Sequence, residues 1–160
     1  TINKLKNEID EIYYVIVGRG IFEKDIQNYI IENNLQNYVK LAGFIDKNEL
    51  IYYYNACDVF VMYSTEIIET GDVEGFGVAY LEANACAKPV IAANKAGACD
   101  AVKNNVNGFL ANNKDELQLL IKNLLTDEAL YSQLSKSALT FVKDNFQWSD
   151  IAKKYLEYMQ

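Results

Sequence analysis

The sequence predicts an α/β fold built on a doubly wound parallel sheet, with helices on both faces of the sheet. Three observations support this prediction. Short runs of β-branched and aromatic residues alternate with segments of helical spacing, and the connections between them are short. The predicted strands contain almost no polar break, which is typical of parallel strands that are covered on both sides. The 160 residues suffice for one domain with one core, and we predict a single domain over 1–160.

The first strand–helix unit follows a short stretch, residues 1–9, that has the pattern of a helix end. Residues 12–17 (IYYVIV) predict a parallel strand covered on both faces. Gly18 and Gly20 come next, and helical spacing then runs through 22–33. The glycines either allow a tight turn or let the backbone approach a ligand, and both interpretations stay open. The third glycine of a dinucleotide-binding fingerprint is absent, so the evidence for NAD is weak.

Two more strands flank the next helix. Residues 38–42 predict the second strand, and 58–63 (DVFVMY) predict the third. Between them, Asp46 with Glu49 three residues later forms a capping-box-like pattern ahead of a helix through 50–57. A polar loop follows the third strand, at the position where open α/β sheets place ligands. Its charges either face solvent or contact a ligand.

Residues 73–93 (VEGFGVAYLEANACAKPVIAA) predict a glycine-flanked loop, a short helix and a buried strand. A helix start beside Gly75 and Gly77 is a potential anion site, because the first N–H groups of a helix have no intrahelical partner. Glu82 falls among apolar and small residues, where a carboxylate is costly unless hydroxyl groups hydrogen-bond it. With Glu74 at the mouth of the helix, the stretch predicts a site for a phosphorylated, hydroxyl-rich ligand. The alternative is an ordinary strand–loop–helix connection with both glutamates at the surface.

The rest of the chain predicts a glycine-containing helical turn, a last short strand and three amphipathic helices (94–102, 108–111, 114–125, 127–142 and 148–159). The last helix places Trp148, Ile151, Tyr155 and Met159 on one side. No strand separates the three helices, which we treat as a C-terminal helical segment over 114–160.

Composition excludes several classes of protein. A net charge of −7 argues against binding nucleic acid through a broad basic surface. The absence of histidine removes His-based triads and argues against zinc. The three cysteines, Cys57, Cys86 and Cys99, show no paired spacing, which favours reduced thiols. No signal peptide and no apolar run of about 20 residues is present. Because the chain begins with Thr1 in an apparent helix end, we expect a fragment of a longer protein.

These motifs together resemble the carboxyl-terminal, donor-binding domain of the retaining GT-B glycosyltransferases of family GT4 (group 1). The two glutamates and their glycines match the E-x7-E motif of that family, and the following KPVI strand also matches (Glu74, Gly75, Phe76, Gly77, Glu82 and Lys88 to Ile91). Weaker matches extend upstream to the first glycine turn and downstream to the last helix. The resemblance covers nearly the whole chain and implies a Rossmann-like domain, one half of a GT-B enzyme.

The resemblance also implies roles for individual residues. Glu82 would accept hydrogen bonds from the ribose hydroxyls of a nucleotide-sugar, and Glu74, in the catalytic position, would contact the transferred sugar. The remaining donor-binding positions would be the glycines, backbone N–H groups near the helix start and the neighbourhood of the base (Gly75, Phe76, Gly77, Val78, Gly18, Gly20, Phe44 and Ile45). No metal or other cofactor is expected, because the helix start and a basic pair preceding this chain would carry the counter-charge.

The function implied for the full-length protein is retaining transfer of a sugar from a UDP- or GDP-sugar to a glycan or lipid-linked acceptor. The acceptor would bind a missing N-terminal domain, so the isolated chain is expected to be inactive. The resemblance points to a cytoplasmic enzyme of capsule or envelope polysaccharide biosynthesis, at the inner membrane face if the missing domain associates with the membrane. Nucleic acid is not an expected partner.

Three departures from the family pattern stand beside the matches. Arg19 is not equivalent to the basic pair of the family, Asn84 replaces a small or apolar residue, and Ala96 replaces a glycine. Two other functions therefore stay open: a non-catalytic nucleotide- or NAD-binding Rossmann module, including an epimerase-like domain, and a scaffold with a degenerate site. A hydrolase that uses the two glutamates as acid and nucleophile is disfavoured, because the family assigns both to binding.

Overall fold

The computed structural model describes residues 1–64 and 75–159 and divides the chain into two compact units, residues 1–53 and 54–160. Glu74 and nearly all of the predicted polar loop lie outside the described residues. The assignment of the whole chain to one domain stays a prediction. Each unit is an α/β arrangement with parallel strands, as the sequence predicted.

The first unit contains two parallel strands and their helices. In order these are α1 (Ile2–Leu5), β1 (Tyr14–Val17), α2 (Glu23–Glu32), β2 (Val39–Gly43) and the beginning of α3 (Leu50–Ala56). β1 pairs with β2 from Tyr14 opposite Val39 to Val17 opposite Gly43. Ile30, Leu35 and Val39 form the small core of this unit, and Ile16 packs against them. The strand–turn–helix order predicted for this part of the chain is therefore correct.

The prediction that the first strand is covered on both faces is wrong. Tyr14, Val15 and Val17 are 40%, 37% and 41% exposed, and Ile16 is half-buried. The apolar character of the strand predicted its extended conformation correctly, because β-branched and aromatic residues favour strands. The apolar character of the strand did not predict how far its side chains are buried, because burial depends on which elements pack against each face of the sheet.

The second unit is a three-stranded parallel sheet between two layers of helices. Its elements are β3 (Phe60–Met62), α4 (Val78–Ala85), β4 (Val90–Ala93), α5 (Ala98–Ala101), β5 (Gly108–Ala111), α6 (Lys114–Thr126), α7 (Glu128–Asn145) and α8 (Trp148–Tyr158). The strand order is β3-β4-β5, so β4 is central and all four of its residues are buried.

The sheet of the second unit separates two hydrophobic cores. Val90 and Ala92 point to one core, with Tyr80 of α4 and Ala98 of α5. Ile91 points to the other, formed with residues of α6 and α7. Helices on both faces of a parallel sheet confirm the doubly wound, Rossmann-like fold.

The last helix, α8, forms as predicted, but its apolar side is largely uncovered. Trp148, Tyr155 and Met159 are 84%, 69% and 82% exposed, and Ile151 is half-buried. In the described part of the chain, no helix is long and apolar enough to cross a membrane.

Candidate functional site

The start of α4 is fixed by one glycine and one tyrosine. Gly77, the N-cap, has φ +84° in the left-handed region, and a Cβ atom at this position would overlap the Tyr80 ring. Tyr80 is fully buried, and its hydroxyl donates a hydrogen bond of 2.7 Å to the carbonyl oxygen of Met62 at the end of β3. The Tyr80 side chain, which packs against Gly77, thereby connects the first turn of α4 with the carboxyl end of β3.

The helix start offers backbone donors. The N-cap residue, Gly77, has no side chain that could cap α4, and the first intrahelical bond runs from the Tyr80 N–H to the Gly77 carbonyl at 3.0 Å. The N–H groups that precede this bond have no intrahelical acceptor and lie at the positive end of the helix dipole. Val78 is 61% exposed and Gly75 is exposed, whereas Phe76 is half-buried against Phe146, with 6.1 Å between the ring centroids. Solvent and small anions therefore have access to the exposed part of this terminus.

Glu82 lies one helical turn further along α4, and its carboxylate already has a protein partner. The Tyr54 hydroxyl donates a hydrogen bond of 2.8 Å to Oε2 of Glu82. Glu82 is exposed, so the expectation of a costly, desolvated carboxylate is wrong. The apolar residues around it in sequence face the sheet, whereas Glu82 falls on the outward side of the same helix.

The pKa of the Tyr54 phenol is raised both by burial and by the bond to Glu82. Burial of the half-covered phenol, and then its hydrogen bond to the carboxylate, raise the pKa of Tyr54 well above the usual value of a tyrosine. The phenol is consequently protonated throughout the physiological range and acts as a donor. The carboxylate retains free acceptor capacity, since each of its oxygens can accept more than one bond.

Asn84, one of the departures from the family pattern, belongs to a buried amide pair with Asn107, and both side chains are fully buried. The Asn107 amide nitrogen donates to Oδ1 of Asn84 at 2.7 Å and to the Ala101 carbonyl at 2.9 Å. The Asn84 amide nitrogen donates to the carbonyls of Lys88 and Asn107, each at 2.9 Å. The pair connects α4 to the end of α5 and the start of β5 through satisfied bonds, so it stabilises the helix that carries Glu82.

The residues predicted for the first unit lie at the carboxyl ends of its two strands. Gly18 has φ +115°, is exposed, and donates its N–H to the carbonyl of Gly43 at 2.8 Å. Gly20 is exposed, and a Cβ atom there would meet nothing within 4 Å. Phe44 is 75% exposed and Ile45 is half-buried. Within this unit, the two predicted segments lie beside each other at one edge of the sheet.

The remaining predictions concern Glu74, metal binding and the cysteines. Glu74 falls outside the described residues. Among the residues that are described, no group of three or more His, Cys, Asp or Glu side chains could hold a metal ion. The free thiols of Cys57 and Cys86 are half-buried, and burial raises the pKa of each. The sequence did not predict the roles of Tyr54 and Asn107, because each acts through a partner more than 20 positions away.

Comparison with known proteins places the chain among sugar transferases. The family model described as "Glycosyl transferases group 1" matches residues 2–141. A Methanocaldococcus jannaschii protein named an uncharacterized glycosyltransferase is 32% identical over 137 residues, 84% of this chain and 36% of that protein. A Mycobacterium tuberculosis protein, named a GDP-mannose-dependent alpha-(1-6)-phosphatidylinositol monomannoside mannosyltransferase, is 26% identical over 158 residues, 98% of this chain and 41% of that protein.

Solved structures show the same similarity in three dimensions. The Anabaena protein HepE, crystallised with UDP and glucose, superposes with a TM-score of 0.84 and 27% identity over 99% of this chain and 43% of its own. The same Anabaena protein in complex with UDP-glucose gives a TM-score of 0.83. The chain thus spans about two fifths of the length of these relatives.

Proposed function

Because the chain belongs to the group 1 glycosyl transferases, we propose that it is the donor-binding part of a retaining glycosyltransferase that uses a UDP- or GDP-sugar. The family supports nucleotide-sugar transfer as the class of reaction. UDP and GDP are proposed as the nucleotides because one similar protein is named GDP-mannose-dependent and another was crystallised with UDP-glucose. We include retention, a glycan or lipid-linked acceptor and a cytoplasmic location in the proposal, because the E-x7-E resemblance implies them.

One observation carries the proposal: a helix start with glycine at its N-cap and an oriented carboxylate lie on the same short helix. The first turn of α4 presents backbone N–H groups beside the exposed Val78. Glu82 follows four residues later, about 6 Å along the helix axis, and is held by Tyr54. A diphosphate at the helix start and a ribose diol at Glu82 would satisfy both groups in one ligand.

The other residues predicted from the sequence keep their implied roles in the proposal. Glu74 would contact the transferred sugar, and the E-x7-E resemblance also implies donor-binding roles for Gly18, Gly20, Phe44 and Ile45. Rate enhancement would come from positioning the donor and from stabilising the departing diphosphate rather than from acid and base catalysis by the two glutamates. No metal is included in the proposal.

A thermal-shift and calorimetric titration with UDP, GDP, ADP and NAD tests the proposal. We expect UDP or GDP at 100 times its Kd to raise the melting temperature by about 5–10 °C, since a ligand that binds only the folded chain stabilises it by about 2.7 kcal/mol. Glu82→Ala should weaken that binding about tenfold or more, because two hydroxyl bonds to a charged group are lost.

A matched control is Glu157→Ala, which removes an exposed carboxylate from α8 and should leave the affinity unchanged. Binding of NAD without binding of any nucleoside diphosphate would contradict the proposal and favour a dinucleotide-binding module. An affinity for UDP or GDP that Glu82→Ala does not alter would show that the proposed α4 site is not where the nucleotide binds.

A further inference from the structure

The bond between Tyr54 and Glu82 determines how the carboxylate is presented. A glutamate exposed on a helix ordinarily samples several rotamers, and a ligand that needs one of them must first select it. Here the phenol holds Oε2 at 2.8 Å, while Oε1 retains its acceptor capacity. Tyr54 comes from α3, 28 positions earlier in the chain, so the bond fixes the carboxylate relative to a second element.

Tyr54 is itself held by aromatic packing that leads to the start of α4. Its ring lies 5.6 Å from that of Phe60 on β3, measured between centroids and tilted by 59°. The Phe60 ring in turn meets the Tyr80 ring edge-on at 6.0 Å and 82°. Tyr80 is the residue that packs under Gly77 and bonds to the Met62 carbonyl. One row of three rings therefore connects the partner of Glu82 with the proposed diphosphate position.

From this geometry we infer that Tyr54 is a positioning residue for nucleotide recognition: it orients Glu82 so that the carboxylate accepts the 2′- and 3′-hydroxyls of the ribose. The inference rests on the proposed function and deepens it. The phenol contributes no charge, because burial and the carboxylate bond raise its pKa and keep it protonated. Its contribution is the preorganisation of a group that contacts the ligand.

Tyr54→Phe separates this role from a merely structural one, because the variant keeps the ring packing and removes only the hydroxyl. Binding of UDP and of GDP is measured beside binding of their 2′,3′-dideoxy analogues. We expect Tyr54→Phe to weaken binding of the ribonucleotide about three- to tenfold, the net effect of one ordinary hydrogen bond, and to leave binding of the dideoxy analogue unchanged. A loss of packing or stability would affect both ligands equally.

Two controls complete the experiment. Tyr52→Phe removes the hydroxyl of an exposed tyrosine, 71% accessible, on the same helix and should change neither affinity. In a double-mutant cycle, Tyr54→Phe should have no further effect once Glu82 is alanine, because the residue acts through that carboxylate. The Hα–Hβ couplings of Glu82, measured by NMR, should report one dominant rotamer in the native chain and an average in Tyr54→Phe.

The possible outcomes are distinct. If the native chain binds no nucleoside diphosphate, the proposed function fails and the role of Tyr54 in it fails as well. If the native chain binds UDP or GDP, but Tyr54→Phe changes neither ligand or weakens both equally, only the role of Tyr54 is overturned. Equal losses caused by Tyr54→Phe in the Glu82→Ala and native backgrounds would also overturn it.

Discussion

At the residue scale, the shape of the proposed site depends on Gly77 more than on any charge. Two features of the structure require glycine at this position: its φ of +84° is unfavourable for residues with a side chain, and the Tyr80 ring occupies the space that a Cβ atom would need. The ring cannot withdraw easily, since it is fully buried and its hydroxyl is bonded to Met62. Gly77 thus couples backbone conformation and core packing at the point where the helix presents its N–H groups.

We therefore predict that Gly77→Ala lowers the free energy of unfolding by at least about 2 kcal/mol, the sum of left-handed strain and overpacking. Urea denaturation measures this loss, and the same variant should bind UDP or GDP more weakly because the first turn of α4 must shift. Gly20→Ala is the stability control, because a Cβ atom there would meet nothing within 4 Å and its φ lies outside the left-handed region. Equal stability of the two variants would contradict the prediction.

At the element scale, α4 ends in a strained turn. Ala87 has φ +57°, although it is not a glycine, and two bonds characteristic of a Schellman motif close the helix. These run from the Lys88 N–H to Ala83 at 3.0 Å and from the Ala87 N–H to Asn84 at 2.9 Å. The Ser135 hydroxyl of α7 adds a bond of 2.6 Å to the Ala87 carbonyl. The turn is therefore held from two sides and cannot relax to suit alanine.

Glycine at position 87 should relieve this strain. We predict that Ala87→Gly raises the free energy of unfolding by about 0.5–1 kcal/mol, because the relief of left-handed strain exceeds the entropy gained by the unfolded chain. Ala85→Gly is the matched control: it makes the same chemical change at an exposed helical position and should cost about 1 kcal/mol. Chemical denaturation of both variants decides the question, and destabilisation of similar size in both would contradict the prediction.

The elements were predictable from the sequence where the signal was local. The helix and strand of 73–93 follow from glycine, apolar spacing and Pro89, and the structure places α4 and β4 there. The exposure of β1 was not predictable, since it depends on what packs against a sheet face. The Asn84–Asn107 pair could not be predicted either, because its two members lie 23 residues apart and are connected through the tertiary fold, in which β5 pairs with β4. The bond between Tyr54 and Glu82 was unpredictable for the same reason, since these residues lie 28 positions apart in the chain.

At the scale of the whole molecule, the second unit combines a packed scaffold with an accessible helix start. Its sheet is covered on both faces, and β4 is buried completely. Rigid elements of this kind hold site residues more accurately than loops do. The net charge of −7 gives the chain no general attraction for an anionic nucleotide, so recognition has to come from local donors and acceptors.

Binding and transfer should be separable in this chain, which spans about two fifths of the length of its relatives. We predict that the 160 residues bind UDP or GDP but transfer no sugar, because transfer requires the acceptor to be held in attack geometry beside the donor. The measurement is incorporation of labelled sugar from UDP-glucose or GDP-mannose into glycan and lipid acceptors. A nucleotide titration of the same preparation shows that the donor site is intact. Sugar transfer by the 160 residues alone would contradict the prediction, because it would mean that these residues also position an acceptor.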